Sequence, residues 1–261
     1  MPHLQPLVQS TRRQLLRLLA VTAATWGLAG PITASSAWAQ TAPAGKDLVY
    51  AGAEPSKPES SAILVAKDSP IRTLADLKGR KIALQKGSSS HYLLVRALEK
   101  AGLQWADIQP IYLAPADARA AFERKSIDAW VIWDPFYAAI ELAIQPRVLA
   151  TGQGLSGNNS FYLASRPFAT QHPEVIGVLF EELSRADRFV QAHRAEAIKL
   201  IADFSGLDAG VVSLFLQRRP PSPVGLLKPA MVLEQQRVAD AFARLALIPK
   251  PVKVSDIVWR P

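Results

Sequence analysis

One stretch constrains this chain more than any other, the segment Lys81–Glu99 with the sequence KIALQKGSSSHYLLVRALE. Lys81–Gln85 is typical of the end of a buried strand, a small-residue loop follows at Lys86–Ser90, and apolar residues then recur at helical spacing. A strand, a Gly/Ser loop and a helix leave free amide N–H groups at the positive end of a helix dipole, and such a point can hold an anion. The alternative is that the serines only cap the helix.

Predicted strands alternate with helical patterns through the first half of the chain. This order indicates βαβ units and a parallel sheet, in which ligands lie outside the carboxyl ends of the strands. The Gly/Ser loop and the tripeptide Trp133-Asp134-Pro135 both follow such ends, which favours anion binding over plain capping. The predicted strands are Leu48–Ala51, Ala62–Ala66, Lys81–Gln85, Ile108–Leu113, Ile127–Trp133 and, later, Phe161–Ala164.

Two of the residues at the second strand end have a structural interpretation as well as a functional one. Asp134 before Pro135 is a common helix start, so its side chain either caps the helix or contacts a ligand, and capping is favoured. Trp133 offers a flat apolar wall for a ligand, or it packs in the core. Trp130, three residues earlier, is expected in the core.

The pattern changes to helices from Pro173 onward. The predicted helices are Pro173–Ala192, Ala195–Phe204, Asp208–Leu216 and Met231–Leu245. A Pro-rich irregular segment, Arg219–Pro229, separates the last two. No internal repeat is apparent.

The first 39 residues predict an export signal rather than part of the fold. Arg12, Arg13 and Arg17 precede an apolar run at Leu18–Leu28, and Ala37-Trp38-Ala39 matches an A-x-A cleavage site. The run is short for a bilayer span, and the arginines resemble a twin-arginine signal, so the alternatives are the general secretory route and an uncleaved membrane anchor. We expect an exported, periplasmic protein cleaved near Ala39.

Composition excludes several classes of function. The chain has no cysteine, so disulfides, thiolate metal sites and a cysteine nucleophile are ruled out. Removing the three leader arginines lowers the formal net charge from +8 to +5 over scattered side chains, which does not indicate a nucleic-acid partner. Ser88 and His91 sit at one helix start without a nucleophile elbow, and no metal or nucleotide motif is present. We therefore expect no enzyme and no cofactor.

Four segments together carry a family resemblance: KGSSSHYLLVRALEKAGL, PADARAAFERKSIDAWVIWDPF, FYLASRPFA and LEQQRVADAFARLALIP. They resemble the periplasmic substrate-binding proteins of sulfonate/nitrate/taurine ABC importers, and within these the aliphatic-sulfonate-binding branch. The resemblance runs from about Leu48 to Trp259. It implies an α/β, type II periplasmic-binding-protein-like fold of two lobes, which delivers a small anion, an alkanesulfonate, to a membrane permease driven by a separate ATPase. The ligand-facing residues it implies are Gly87, Ser88, Ser89, Ser90, His91, Trp133 and Asp134.

The chain departs from the family at its start, because the βαβαβ segment of the first lobe has no counterpart after the leader. We expect a remnant of the first lobe and a hinge strand at 40–68, an intact second lobe at 69–158, and a hinge strand with the C-terminal helices of the first lobe at 159–261. An exposed apolar patch on these helices and impaired binding should follow. The alternatives are a receptor for taurine, nitrate or a pyrimidine precursor, and a non-binding remnant, or one completed by a partner or a dimer.

Overall fold

The computed structural model describes residues 47–261, so the predicted export signal lies outside the described residues. The strands are β1 (Leu48–Ala53), β2 (Ser61–Val65), β3 (Lys81–Leu84), β4 (Gln109–Tyr112), β5 (Ala129–Trp133), β6 (Arg147–Thr151) and β7 (Phe161–Ser165). The α-helices are α1 (Ser89–Lys100), α2 (Pro115–Glu123), α3 (Phe136–Ile144), α4 (Arg166–Gln171), α5 (Pro173–Ala192), α6 (Arg194–Ser205), α7 (Ala209–Gln217) and α8 (Pro229–Arg244). In this part of the chain, no helix is long and apolar enough to cross a membrane.

The larger sheet has five strands in the order β4-β3-β5-β2-β6. β3 runs parallel to β4 and β5, as predicted. The prediction of a wholly parallel sheet is wrong, because β2 runs antiparallel to both β5 and β6. All residues of β2 and β5 are buried, and a fully buried strand has the same apolar run whichever way it points, so the sequence did not reveal the direction.

Helices cover both faces of this sheet. On one face, Leu93, Leu94 and Leu98 of α1 pack against strand residues such as Ile63 and Ile82. On the other face, α2 and α3 cover Ala83, Trp130 and Ile132, and Trp130 is a core residue as predicted. A side chain of this size contributes about 1.5–3 kcal/mol when it is fully buried. The helices on the two faces therefore fix the positions of the strand ends, and the loops that follow these ends form the site described below.

The smaller sheet consists of β1 and β7, paired antiparallel. It packs on α4 and α5 through Val49, Ala51, Ala169, Ile176 and Phe180. Gly52 is required at this contact, because a Cβ atom there would lie 2.2 Å from Cζ of Phe180.

One side of α5 is not covered by this small sheet. The side chains of Val175, Val178 and Leu179 are 46%, 59% and 47% exposed, and Leu163 of β7 is 52% exposed. The apolar patch expected on the C-terminal helices is thus present on the surface of α5. It is defined here as the α5 patch, Val175, Val178 and Leu179.

The C-terminal helix α8 packs on α1, one of the helices that cover the larger sheet. Tyr92 and Val95 of α1 form a buried cluster with Ala241, Phe242 and Ile248. Helix α8 therefore lies against α1, the helix that begins directly after the Gly/Ser loop. This contact forms one wall of the cleft described below.

Candidate functional site

The loop between β3 and α1 caps the helix in the way the serine pattern predicts. Ser88 is the N-cap, and its Oγ accepts the N–H of His91 at 3.4 Å. The same Oγ donates to the carbonyl oxygen of Gln85 at 2.7 Å and lies 2.8 Å from Oγ of Ser90. The hydroxyl groups of Ser88 and Ser90 are therefore used largely to build the loop.

Two backbone donors remain at this helix start. The N–H groups of Ser89 and Ser90 occupy the first turn of α1, where an α-helix has no internal acceptor, and no described residue accepts a hydrogen bond from them. They lie at the positive end of a helix of 12 residues. Ser90 is fully buried, so the Ser89 amide is the part of the loop that can bind an anion.

His91 lies beneath the loop and holds it in shape. Its Nδ1 accepts the N–H of Gly87 at 3.0 Å, so the Gly87 amide is already used. The ring is fully buried, with centroids of Trp105, Phe242 and Tyr112 at 4.5, 5.6 and 5.9 Å. Burial, assisted by the positive charge of Lys86, lowers the pKa of His91 to about 4. The imidazole is therefore neutral at neutral pH, with its proton on Nε2.

A cleft opens above this loop. Its lining comes from three segments that are far apart in sequence. These are the start of α1 with Gly87, Ser88, Ser89 and Tyr92, the end of the β6–β7 loop with Ser156, Asn158, Asn159 and Phe161, and the face of α8 with Glu234, Gln235, Val238 and Phe242. The cleft thus brings Ser89, at the start of α1, opposite residues of α8.

Glu234 joins two walls of the cleft. Its Oε1 accepts the N–H of Gly157 at 2.6 Å and its Oε2 accepts the side-chain amide of Asn159 at 2.8 Å. Asn159 in turn accepts a hydrogen bond from Ser56 Oγ at 2.8 Å. Among the described residues, Glu234 is the only fully charged side chain that lines the cleft.

Trp133 and Asp134 follow the strand next to β3, but their side chains are buried. Trp133 is 8% exposed and meets Phe136 edge-on, with ring centroids 6.0 Å apart. Asp134 Oδ1 accepts the N–H of Ala138 at 3.0 Å, in the first turn of α3, but Asp134 is not the N-cap, so the predicted N-cap position is wrong. The helix starts one residue later than predicted, because Pro135 is the N-cap.

Asp134 also has a charged partner from another helix. Arg218, at the end of α7, donates to Asp134 Oδ1 at 2.8 Å and also binds Glu141. Its guanidinium lies 3.7 Å from the ring centroid of Tyr137. Burial raises the pKa of Asp134 to about 6, and the positive charge of Arg218 opposes this rise only in part.

A second buried ionic cluster, centred on Glu54, links the smaller sheet to the segment that follows α7. Glu54, just after β1, accepts hydrogen bonds from Lys57 at 2.7 Å, Arg219 at 2.6 Å and Tyr162 Oη at 2.6 Å. Burial opposes ionisation of Glu54, but Arg219 and Lys57 hold its pKa below the ordinary value. The cluster joins β1, β7 and the segment after α7 at one point.

The structure brings some of the predicted site residues together and separates others. Gly87, Ser88 and Ser89 line the cleft, whereas Ser90 and His91 lie below it and are fully buried. Trp133 and Asp134 are not among the lining residues of this cleft. The sequence predictions missed the lining from the β6–β7 loop and α8, although the polar run SGNNS at 156–160 was a signal for a binding loop.

A mixed sheet with helices on both faces, and a cleft at the carboxyl ends of its strands, defines an α/β fold of the periplasmic-binding-protein class. The profile of the family described as NMT1/THI5 like matches residues 18–197. A protein of Escherichia coli named as an aliphatic sulfonates-binding protein is 46% identical over 248 residues, which are 95% of this chain and 76% of the relative. This chain therefore belongs to the NMT1/THI5-like family.

Solved structures agree with this assignment. The crystal structure of the periplasmic aliphatic sulphonate binding protein of Escherichia coli matches with a TM-score of 0.82 at 48% identity, covering 86% of this chain and 72% of that protein. The alkanesulfonate-binding protein of Xanthomonas axonopodis pv. citri, bound to MOPS, matches with a TM-score of 0.78 at 40% identity. That match covers 98% of this chain and 94% of the other.

Proposed function

We propose that this chain is the solute-binding component of an ABC importer and captures aliphatic sulfonates in the periplasm. The observation that carries the proposal is its 46% identity, over 95% of its length, to an aliphatic sulfonates-binding protein. A membrane permease is the expected partner to which the bound anion is delivered. No chemical reaction is part of the proposal, since its role is binding and release.

In this proposal the sulfonate head group lies at the start of α1. The amide of Ser89 donates to its oxygens, and the helix dipole stabilises its negative charge. Gly87 and Ser88 shape the loop. His91 contributes indirectly, because it holds the Gly87 amide and is buried below the cleft. Trp133 and Asp134 act as supports of the neighbouring strand end.

The reduced first lobe is also part of the proposal. The support for it is that, within residues 47–261, β1 and β7 form a sheet of only two strands and that the α5 patch is exposed. Of the described residues, 47–68 and 159–261 would then form the reduced lobe, and 69–158 the intact second lobe. A cleft that lacks part of the wall formed by the first lobe should bind its ligand more weakly than the cleft of a complete two-lobe receptor.

Calorimetric titration of the purified protein tests the function. We expect heat of binding with alkanesulfonates, and less or none with sulfate and nitrate. Taurine distinguishes an aliphatic-sulfonate receptor from a taurine receptor, according to which of the two binds more tightly. A folded sample that binds none of these anions would contradict the proposed function and favour the non-binding remnant.

A substitution at Ser89 tests the site. Ser89→Pro removes the amide donor that faces the cleft, yet Pro is favoured at the first position of a helix and the extended backbone of Ser88 suits a residue before Pro. The helix should therefore survive, and affinity for the sulfonate should fall roughly tenfold. Ser89→Ala keeps the amide and removes only the hydroxyl group, so it is the matched control. Equal affinity of Ser89→Pro and Ser89→Ala would mean that the loop only caps the helix.

A further inference from the structure

Glu234 is the charged residue that an anion in this cleft would have to tolerate. It lines the cleft together with Ser88 and Ser89, and no lysine or arginine among the described residues lines the same cleft to offset it. An anion without a positive group would therefore be attracted by the amides of α1 and repelled by the carboxylate of α8. The cleft has a positive and a negative side.

The carboxylate of Glu234 is fixed in place. The Gly157 N–H and the Asn159 side-chain amide hold one oxygen each, at 2.6 and 2.8 Å. Gly157 is close enough that a Cβ atom there would lie 2.7 Å from Oε2 of Glu234. An ionised carboxylate has about four acceptor positions, so two hydrogen bonds leave room for a further donor. Glu234 is thus held against one wall with acceptor capacity left for a ligand.

A ligand with opposite charges at its two ends fits this arrangement. We propose that Glu234 is a specificity-determining residue that selects sulfonates carrying an ammonium group over plain alkanesulfonates. The sulfonate binds the amide of Ser89 at the start of α1, and the ammonium group donates to the carboxylate of Glu234. This inference rests on the proposed function, because it presumes that the cleft binds a sulfonate.

Charge selection follows from the cost of burying unpaired charge. A plain alkanesulfonate would leave Glu234 without a counter-charge and partly desolvated, which is unfavourable. An ammonium group at the same position converts this repulsion into a charge-assisted hydrogen bond. Such a bond contributes enough to change affinity by roughly tenfold to a hundredfold.

An isosteric pair of ligands tests the preference in the unmodified protein. In 3-aminopropane-1-sulfonate an ammonium group replaces the terminal methyl group of butane-1-sulfonate, and an alkylammonium is protonated at pH 7. Titration of both ligands into the full chain, as purified, should give at least roughly tenfold tighter binding of the amino ligand. Equal binding, or tighter binding of butane-1-sulfonate, would overturn the inference and leave the proposed function intact. Failure of both to bind would contradict the proposed function, and the inference with it.

Two variants assign the preference to Glu234. Glu234→Gln keeps an acceptor for the Gly157 N–H and removes the charge, so the two ligands should bind with affinities within about threefold of each other. Asp240→Asn is the matched control, because it removes one negative charge from the same helix at a position that does not line the cleft. A preference that survives Glu234→Gln, or that Asp240→Asn abolishes equally, would overturn the assignment. Thermal unfolding of each variant verifies that it is folded.

Discussion

Arg218 and Asp134 form a buried ion pair, 2.8 Å between Nη1 and Oδ1, that links the end of α7 to the start of α3. Their side chains are 13% and 6% exposed. The guanidinium also stacks on Tyr137 and binds Glu141, so three side chains depend on one cation. The C-terminal helices are thereby attached to the larger sheet through Asp134, a residue that the family resemblance implied to be ligand-facing.

Arg218→Ala should destabilise the protein strongly. It leaves the Asp134 carboxylate buried without its counter-charge, and breaking a buried pair in this way costs about 3–5 kcal/mol of unfolding free energy. Arg218→Ala with Asp134→Asn should recover part of this loss, because no unpaired charge remains. Urea denaturation measures both values.

The control for this measurement is Arg185→Ala. Arg185 pairs with Glu182 on the exposed surface of α5, and its side chain is 57% exposed. A pair of this kind contributes at most about 1 kcal/mol. A loss for Arg218→Ala no larger than that for Arg185→Ala would contradict a structural role of the buried pair.

Two buried groups should give opposite dependences of stability on pH. Burial lowers the pKa of His91 from 6.5 to about 4 in the fold, so the unfolded chain takes up this proton first and acidification between those values destabilises the protein. Burial raises the pKa of Asp134 from 3.8 to about 6, so the folded chain takes up that proton first. Acidification through that window therefore stabilises the protein.

These two effects oppose each other between about pH 6 and pH 4, and single variants separate them. His91→Asn keeps an acceptor for the Gly87 N–H, and its unfolding free energy should rise on acidification relative to the parent chain. Asp134→Asn should show the reverse, a steeper loss on acidification. The difference in slope can reach about 1.4 kcal/mol per pH unit. Parallel pH profiles for the parent and both variants would contradict the shifted pKa values.

Glu54 should be more important for stability than Tyr162, its neutral partner. Glu54→Gln leaves Lys57 and Arg219 in a buried site without a carboxylate, which should cost about 3–5 kcal/mol. Tyr162→Phe removes only the hydrogen bond to Glu54, at a cost of about 2 kcal/mol. Denaturant midpoints rank the two variants. Equal losses would show that the charges of the cluster contribute little beyond its hydrogen bonds.

The α5 patch should affect association rather than folding. Leu179→Glu places a charge at a position that is 47% exposed, so the unfolding free energy should change by no more than about 0.5 kcal/mol. Self-association, measured by light scattering over a range of concentrations, should decrease because the exposed apolar area becomes smaller. Leu183→Glu on the same helix is the contrasting control, since Leu183 is buried and the charge should unfold the protein.

Local sequence patterns predicted the helices well. The predicted bounds of α5 match the structure, and Gly206 ends α6 with a positive φ of 72° as a C-terminal glycine should. These signals depend on residues within one or two turns of each other. The predicted order of loop and helix at Lys81–Glu99 is confirmed for the same reason, although the helix already starts at Ser89, inside the predicted loop, with Ser88 as its N-cap.

Strand β6 and the direction of β2 were not predicted. β6, RVLAT, has no residue that is fully buried, and it forms an edge whose only strand partner in the described chain is β2. The direction of a strand depends on the strands with which it pairs in the sheet. A short apolar run in the sequence does not specify those partners. The error in sheet topology follows from this missing information.

The sequence by itself determined that free amides lie at the start of α1, because a strand, a Gly/Ser loop and a helix leave the first N–H groups of the helix without an internal acceptor. Only the tertiary structure decided what surrounds them. It buried His91 under the loop, turned Asp134 toward Arg218 and placed Glu234 in the cleft from a helix that starts 140 residues after Ser89. Such contacts depend on packing between distant segments, which local spacing does not encode.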